Sequence, residues 1–189
     1  MKLNGKTMLF ILILIVLTTI CKYFFGPDPG WSGFSPVIAI ALFSGFILKQ
    51  KDRSFLLPLL ALFISDVVIH ILYKWGAFEY PGFYSGQWKN YLILLTATLI
   101  GWLLKGRNYP SLLGGAIVAP TVFFLISNFG VWLATTEATY TKDFSGLMAC
   151  YAAGLPFYKN ALMATIVCLP GILLLYNYFT RNKVVLTVA

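Results

Sequence analysis

Phe55 to Tyr73 reads FLLPLLALFISDVVIHILY, a stretch long and apolar enough to cross a bilayer. It carries Asp66 and, four residues later, the only histidine of the chain, His70. A carboxylate at the centre of a membrane helix costs about 2.5 to 3.5 kcal/mol on insertion scales, so one that persists there needs a partner or a purpose. On a helix, residues i and i+4 share a face, so Asp66 and His70 are expected to look into the same space.

The rest of the chain sets that stretch among others like it. Of 189 residues, 59% are hydrophobic and 11% charged, about half the charged fraction typical of a soluble domain. Apolar runs occupy Met8 to Phe24, Ser35 to Leu48, Phe55 to Tyr73, Asn90 to Leu104, Ser111 to Ala134 and Ala161 to Phe179. The expectation is an all-α integral membrane protein, a single six-helix transmembrane domain over residues 1–189. A span needs about 20 residues, so the second and fourth runs are short and must borrow flanking residues or sit where the bilayer is thin. No alternating ten-residue pattern of a transmembrane barrel is present. Lys2 and Lys6 precede a first run too long for a signal peptide and lacking a small-x-small cleavage site, so it reads as an uncleaved helix.

The net charge of +8 is a topology signal. With the amino terminus cytoplasmic, the inner side holds nine basic residues, among them Lys6, Lys49, Lys51, Arg53, Lys105 and Arg107, against the single acid Asp52. The outer side holds Lys22, Lys74, Lys89, Lys142 and Lys159 against Asp28, Glu79, Glu137 and Asp143. The positive-inside rule then puts both termini on the cytoplasmic side of the membrane, and accounts for the basic excess without nucleic acid. Inner connections are the tight basic turns KQKDR and KGRNYP, whereas the outer ones are longer and chemically richer.

Among the outer segments, GPDPGWSGF reads as a rigid turn around Trp31, and KWGAFEYPGFYSGQW is dense in aromatic residues, Tyr84 among them. The third, Thr135 to Asn160, contains SGLMACYAAGLPFYKN, whose Gly146, Gly154 and Pro156 are expected to break any seventh span. Four of five tryptophans, Trp31, Trp75, Trp88 and Trp132, fall outside; an interfacial belt explains part of this, and an aromatic-lined mouth explains the excess on one side. Counting depth at about 1.5 Å per residue places Thr18, Thr19, Asp66, Thr96, Asn128 and Thr165 in one outward-facing layer. Phe124, Asn128 and Trp132 recur every four residues as one stripe of the fifth helix.

Two readings of the embedded pair stand side by side: Asp66 as hydrogen-bonded glue and His70 as a ring facing water, or both as ligand contacts. Chemistry is hard to assemble from this inventory. One histidine excludes a multi-histidine zinc site, and no phosphate-cradling glycine loop is present. A Ser127, His70, Asp66 set of intramembrane-protease type lacks a nucleophile elbow. Cys21 and Cys150 both fall toward the outer side, where a bridge between them is an option. Ala41 with Gly45 and Gly115 with Ala119 would allow close helix packing, within the bundle or against another subunit.

The segments GFSPVIAIALFSG, PLLALFISDVVIH, SNFGVWL and SGLMACYAAGLPFYKN resemble those of an uncharacterised bacterial family described as transport proteins. More distantly, six short helices with three gating outer loops are similar in layout to the substrate-binding S-components of energy-coupling factor vitamin importers. That likeness implies a ligand in the outer half beneath the loops and a membrane coupling subunit with ATPases. Such proteins dock through alanines four apart on the first helix, and MLFILILIVLTTICKYF has none. The expected function is transport or substrate capture of a small, aromatic or heterocyclic, vitamin-like nutrient, with no cofactor. Its ligand site would comprise Asp66, His70, Asn128, Trp132, Trp31, Tyr84 and Tyr151. The alternatives are a non-transporting scaffold subunit and, third, an intramembrane enzyme.

The charge pattern is directly testable. In a cysteine-free background in intact cells, Thr136→Cys should react with a membrane-impermeant maleimide and Gly106→Cys only after lysis; the reverse pattern would invert the topology.

Overall fold

The computed structural model describes residues 5–48, 51–104 and 108–179. Lys2, Lys49, Lys105, Arg107, Arg181 and Lys183 of the topology count lie outside the described residues. Among those described there are six helices: α1 (Gly5–Phe25), α2 (Val37–Ile47), α3 (Lys51–Lys74), α4 (Trp88–Leu103), α5 (Tyr109–Ala134) and α6 (Phe144–Phe179). The protein is all-α, and α1, α3, α5 and α6 are long and apolar enough to cross a membrane. Their outward faces, with Leu9, Leu12 and Val16 on α1 and Leu113, Ile117 and Leu125 on α5, expose large apolar side chains. Continuous surfaces of this kind are rare on soluble monomers and suit lipid contact.

The short α2 helix is central. Every residue of α2 except Phe46 is buried, and the helix packs on α3, α4, α5 and α6. A helix apolar on all sides needs such an enclosure. Phe43 meets Phe10 of α1 and Tyr176 of α6 at ring-centroid distances of 6.0 and 5.2 Å, knitting three helices at one end. Toward α4 the contact is backbone to backbone. A Cβ on Gly45 would lie 2.0 Å from the Thr98 carbonyl oxygen, and one on Gly101 would lie 2.4 Å from that of Leu42. Ala41, Gly45, Gly115 and Ala119 are all buried inside the bundle, so the small-residue faces serve internal packing and not an outer docking face.

The expectation that residues 144–160 break before the last span is not met. SGLMACYAAGLPFYKN is helical and continuous with α6, whose 36 residues give about 54 Å of helix. The glycines there mark close approach and not interruption: a Cβ on Gly146 would lie 2.0 Å from the Thr141 carbonyl oxygen, and one on Gly154 would lie 2.4 Å from Oδ1 of Asn128. The helix runs through Pro156 and Pro170, giving up at each the one backbone bond proline cannot donate. Its start is capped by Asp143, whose Oδ1 accepts from Gly146 N at 2.7 Å and from the Thr141 hydroxyl at 2.7 Å. The Gly146 N–H first, and then the Thr141 hydroxyl, hold this carboxyl below the usual range.

The polar layer expected from depth counting is largely absorbed by the helices themselves. Thr18, Thr19, Thr96 and Thr165 each donate to a carbonyl of their own helix, to Leu14, Ile15, Ile93 and Ala161 respectively. Such back-bonding satisfies a hydroxyl without a partner helix. Cys21, Cys150 and Cys168 are free thiols, so the optional Cys21 to Cys150 bridge is absent.

The α2 to α4 contact sets a packing test. Gly101→Ala should lower the melting temperature in detergent by an amount equivalent to about 1 to 3 kcal/mol, the usual cost of overpacking. Gly114→Ala, where an added Cβ meets nothing within 4 Å, should leave it unchanged or slightly raised.

Candidate functional site

The loop of residues 26–36 is tied down by its own hydrogen bonds and by α6. Asp28 Oδ1 accepts from Gly30 N at 2.8 Å, and the Asp28 carbonyl accepts from Trp31 and Ser32. Phe25, Trp31 and Phe34 form a three-ring cluster with centroids 5.0 to 5.7 Å apart. Asn160 of α6 donates from Nδ2 to the carbonyls of Gly30 and Ser32, both at 2.9 Å. Gly33 takes φ +90°, a conformation open to glycine, and a Cβ there would meet the Phe157 carbonyl at 3.0 Å.

The second loop, residues 75–87, is fastened to α3 at Asp66. Gly82 lies so close that a Cβ would come within 2.0 Å of the Asp66 carbonyl and 2.6 Å of His70 N, so only glycine fits. Gln87, just before α4, uses its side chain on the loop instead of capping the helix. Its Nε2 donates to Asp66 Oδ2 at 2.7 Å and to the Gly82 carbonyl at 3.1 Å, while its Oε1 accepts from Tyr84 N at 3.1 Å.

Asp66 is 4% exposed and its carboxylate is surrounded by donors. Oδ1 accepts from Lys22 Nζ of α1, and Oδ2 accepts from Gln87 and from the Tyr91 hydroxyl of α4. Opposite charge and three hydrogen bonds supply what a buried carboxylate loses in leaving water. Two cavities adjoin this group. The larger, about 450 Å³, lies between the two loops and is walled by Lys22, Asp66, Tyr84, Gln87 and Tyr91, with Phe34, Phe78 and Tyr80. The smaller, about 270 Å³, runs deeper among α2, α4, α5 and α6, against Leu94, Pro120, Phe123, Phe124 and Phe157. Lys22, Gly33, Ser35, Leu62 and Asn90 form a wall common to both.

The residues expected at the site separate on this geometry. Asp66 and Tyr84 line the larger cavity, and Asn128 lines the smaller. Asn128 Nδ2 donates to the Phe124 carbonyl at 3.0 Å, and Oδ1 lies close to Gly154, where an added Cβ would come within 2.4 Å of it. His70 lines neither cavity and does not share the space of Asp66, because the Gly82 turn covers the helix between them. Its ring packs against Phe83 and Tyr73, and Nδ1 is buried without a hydrogen-bond partner. Trp31 is spent on its ring cluster. Trp132 donates to the Thr141 carbonyl at 2.9 Å beneath Lys142, and Tyr151 donates to the Leu125 carbonyl at 3.1 Å. The Phe124, Asn128, Trp132 stripe therefore divides, its first two members at the smaller cavity and its third on the end of α5. Ser127, His70 and Asp66 make no hydrogen bonds to one another; the Ser127 hydroxyl bonds back to Phe124.

Sequence reading missed Lys22, Gln87, Asn90, Tyr91 and Ser35. Lys22 was legible only as an outer-side charge, although a lysine inside the apolar run LTTICKYFF is itself a signal that an embedded acid waits nearby. Gln87 and Tyr91 flank a helix start, and nothing in their spacing announces a carboxylate 21 and 25 residues upstream.

The pair can be tested by a double-mutant cycle. Lys22→Met or Asp66→Asn alone should destabilise the fold by about 3 to 5 kcal/mol by stranding the other member, and the double variant should cost clearly less than the sum. Thermal unfolding in detergent reads the coupling; additive losses would mean that the two groups do not act as a pair.

No curated protein and no solved structure matches this chain. A family model matches residues 2–186, nearly the whole length, and the chain accordingly belongs to the family described as "Family of unknown function (DUF6580)".

Proposed function

We propose that this chain is a membrane transport protein, or the substrate-capture subunit of one, that takes a small nutrient from the outer side of a bacterial cytoplasmic membrane. In this reading all six helices span, α2 and α4 doing so within the enclosure of their neighbours, and both termini are cytoplasmic. The two cavities beneath the loops then open toward the outside. The observation that supports the reading best is a pair of adjoining cavities of about 450 and 270 Å³ beside a largely buried Lys22–Asp66 pair, with Lys22 in both walls and Asp66 in that of the larger. Interior volume flanked by fixed polar groups and aromatic rings is the usual composition of a ligand site, whereas a purely structural ion pair has no need of space beside it.

The ligand this favours is small and aromatic or heterocyclic, since Phe123, Phe124 and Phe157 offer flat apolar walls. Asp66 acts here by holding Lys22 and the second loop in place, its own oxygens being occupied. A separate membrane subunit with ATPases is the partner that such a capture protein would use. The surface for it is not the set of small-residue pairs, which are buried.

Native mass spectrometry of protein extracted gently from its own membrane tests the proposal. A small molecule should copurify and be lost in a cavity-filling variant such as Ala161→Trp. An empty protein bound stoichiometrically to other membrane proteins would favour a scaffold instead.

A further inference from the structure

Resting on the capture reading, we infer that the ligand is an uncharged one- or two-ring heteroaromatic molecule with an adjacent carbonyl and N–H on one edge. The rings occupy the deeper cavity and the polar edge lies on the wall formed by Lys22, Ser35 and Asn90. Three observations lead there.

The deeper cavity has few polar groups left to offer at its far end. The Ser127 hydroxyl and Asn128 Nδ2 are bonded to the Phe124 carbonyl, and the Tyr158 hydroxyl is bonded to Thr121 Oγ1 at 2.8 Å. What remains there is chiefly ring surface, with Phe124 and Tyr158 at a centroid distance of 4.8 Å, and the amide oxygen of Asn128 as an acceptor. At about 270 Å³ the space exceeds the roughly 150 Å³ of an apolar cavity known to take benzene, and so suits one or two rings.

The unused hydrogen-bonding capacity lies instead on the shared wall. Ser35 Oγ is buried with no partner, and buried hydroxyls in folded proteins are nearly always paired. Lys22 gives Asp66 one of its three N–H groups and keeps two. Asn90 donates from Nδ2 to the Tyr84 hydroxyl at 2.7 Å and retains its carbonyl oxygen as an acceptor. Two donors and an acceptor on one shared wall suit the carbonyl and N–H of a lactam edge.

Charge decides the protonation class. Lys22 and Asp66 compensate one another and are the only charged side chains in the two walls, so a ligand bringing net charge would find no unpaired counter-charge there, whereas a neutral one needs none.

Calorimetry in nanodiscs with three probes of similar size tests the inference: carbostyril, a neutral lactam; quinaldate, an anion; and naphthalene, which has no polar edge. Carbostyril should bind at least roughly ten-fold tighter than either of the others, the worth of one or two buried hydrogen bonds. Ser35→Ala removes no internal hydrogen bond, so it should fold normally. It should weaken carbostyril by roughly three- to ten-fold and leave naphthalene unchanged. Tighter binding of quinaldate, or unaltered carbostyril affinity in both Ser35→Ala and Asn90→Ala, overturns the inference. A charged or aliphatic molecule found in the native protein overturns the inference while leaving capture intact. Failure of every probe, together with no copurifying molecule, removes the capture reading and this inference with it.

Discussion

A carboxylate withdrawn from water has to be answered by donors, and the answer given to Asp66 organises one end of this molecule. Lys22 reaches it from the end of α1, Gln87 from the second loop and Tyr91 from the first turn of α4. Two segments distant in sequence, the end of α1 and the loop leading into α4, are thereby held at fixed positions around α3. Gly82 lets the second loop lie directly on the helix beside the carboxylate, so the loop is located by backbone contact as well as by the Gln87 amide. The first loop is fixed separately, through Asn160 of α6. With both loops anchored, the space between them persists as a cavity.

The opposite end is built on other terms. The α2 helix is buried among its neighbours, and contacts there are apolar or backbone to backbone, with Gly45 against Thr98 and Gly101 against Leu42. The Ser44 hydroxyl turns back onto the Ile40 carbonyl at 2.6 Å, while the Thr98 hydroxyl is buried without a partner. Among the described residues the bundle is close-packed around α2, while the Asp66 end is polar and carries open volume between its loops.

The family likeness adds breadth without chemistry. Because the family is itself described as one of unknown function, the content of a functional reading has to come from the cavities and their walls. The buried small-residue pairs and the occupied oxygens of Asp66 redirect the expectations formed from spacing. Ala41, Gly45, Gly115 and Ala119 face the interior of the bundle, and in the proposed reading the groups facing a ligand are Lys22, Ser35 and Asn90, with Asp66 behind them.

The sequence by itself determined the apolar helices, the basic excess on one set of turns, the rigidity of GPDPGWSGF and the importance of Asp66, because each follows from composition or from spacing within one segment. It misjudged residues 144–160, since glycine and proline read locally as breaks, and only contact with Thr141 and Asn128 shows the glycines to be places of close approach. The tertiary structure alone decided which groups meet: that His70 is divided from Asp66 by the Gly82 turn, that Trp132 and Tyr151 serve the ends and seams of helices, and that Lys22 is the partner of the embedded acid. Helical periodicity fixes which residues of one helix share a face. The direction of that face is set by packing among six helices, and no single helix carries that information.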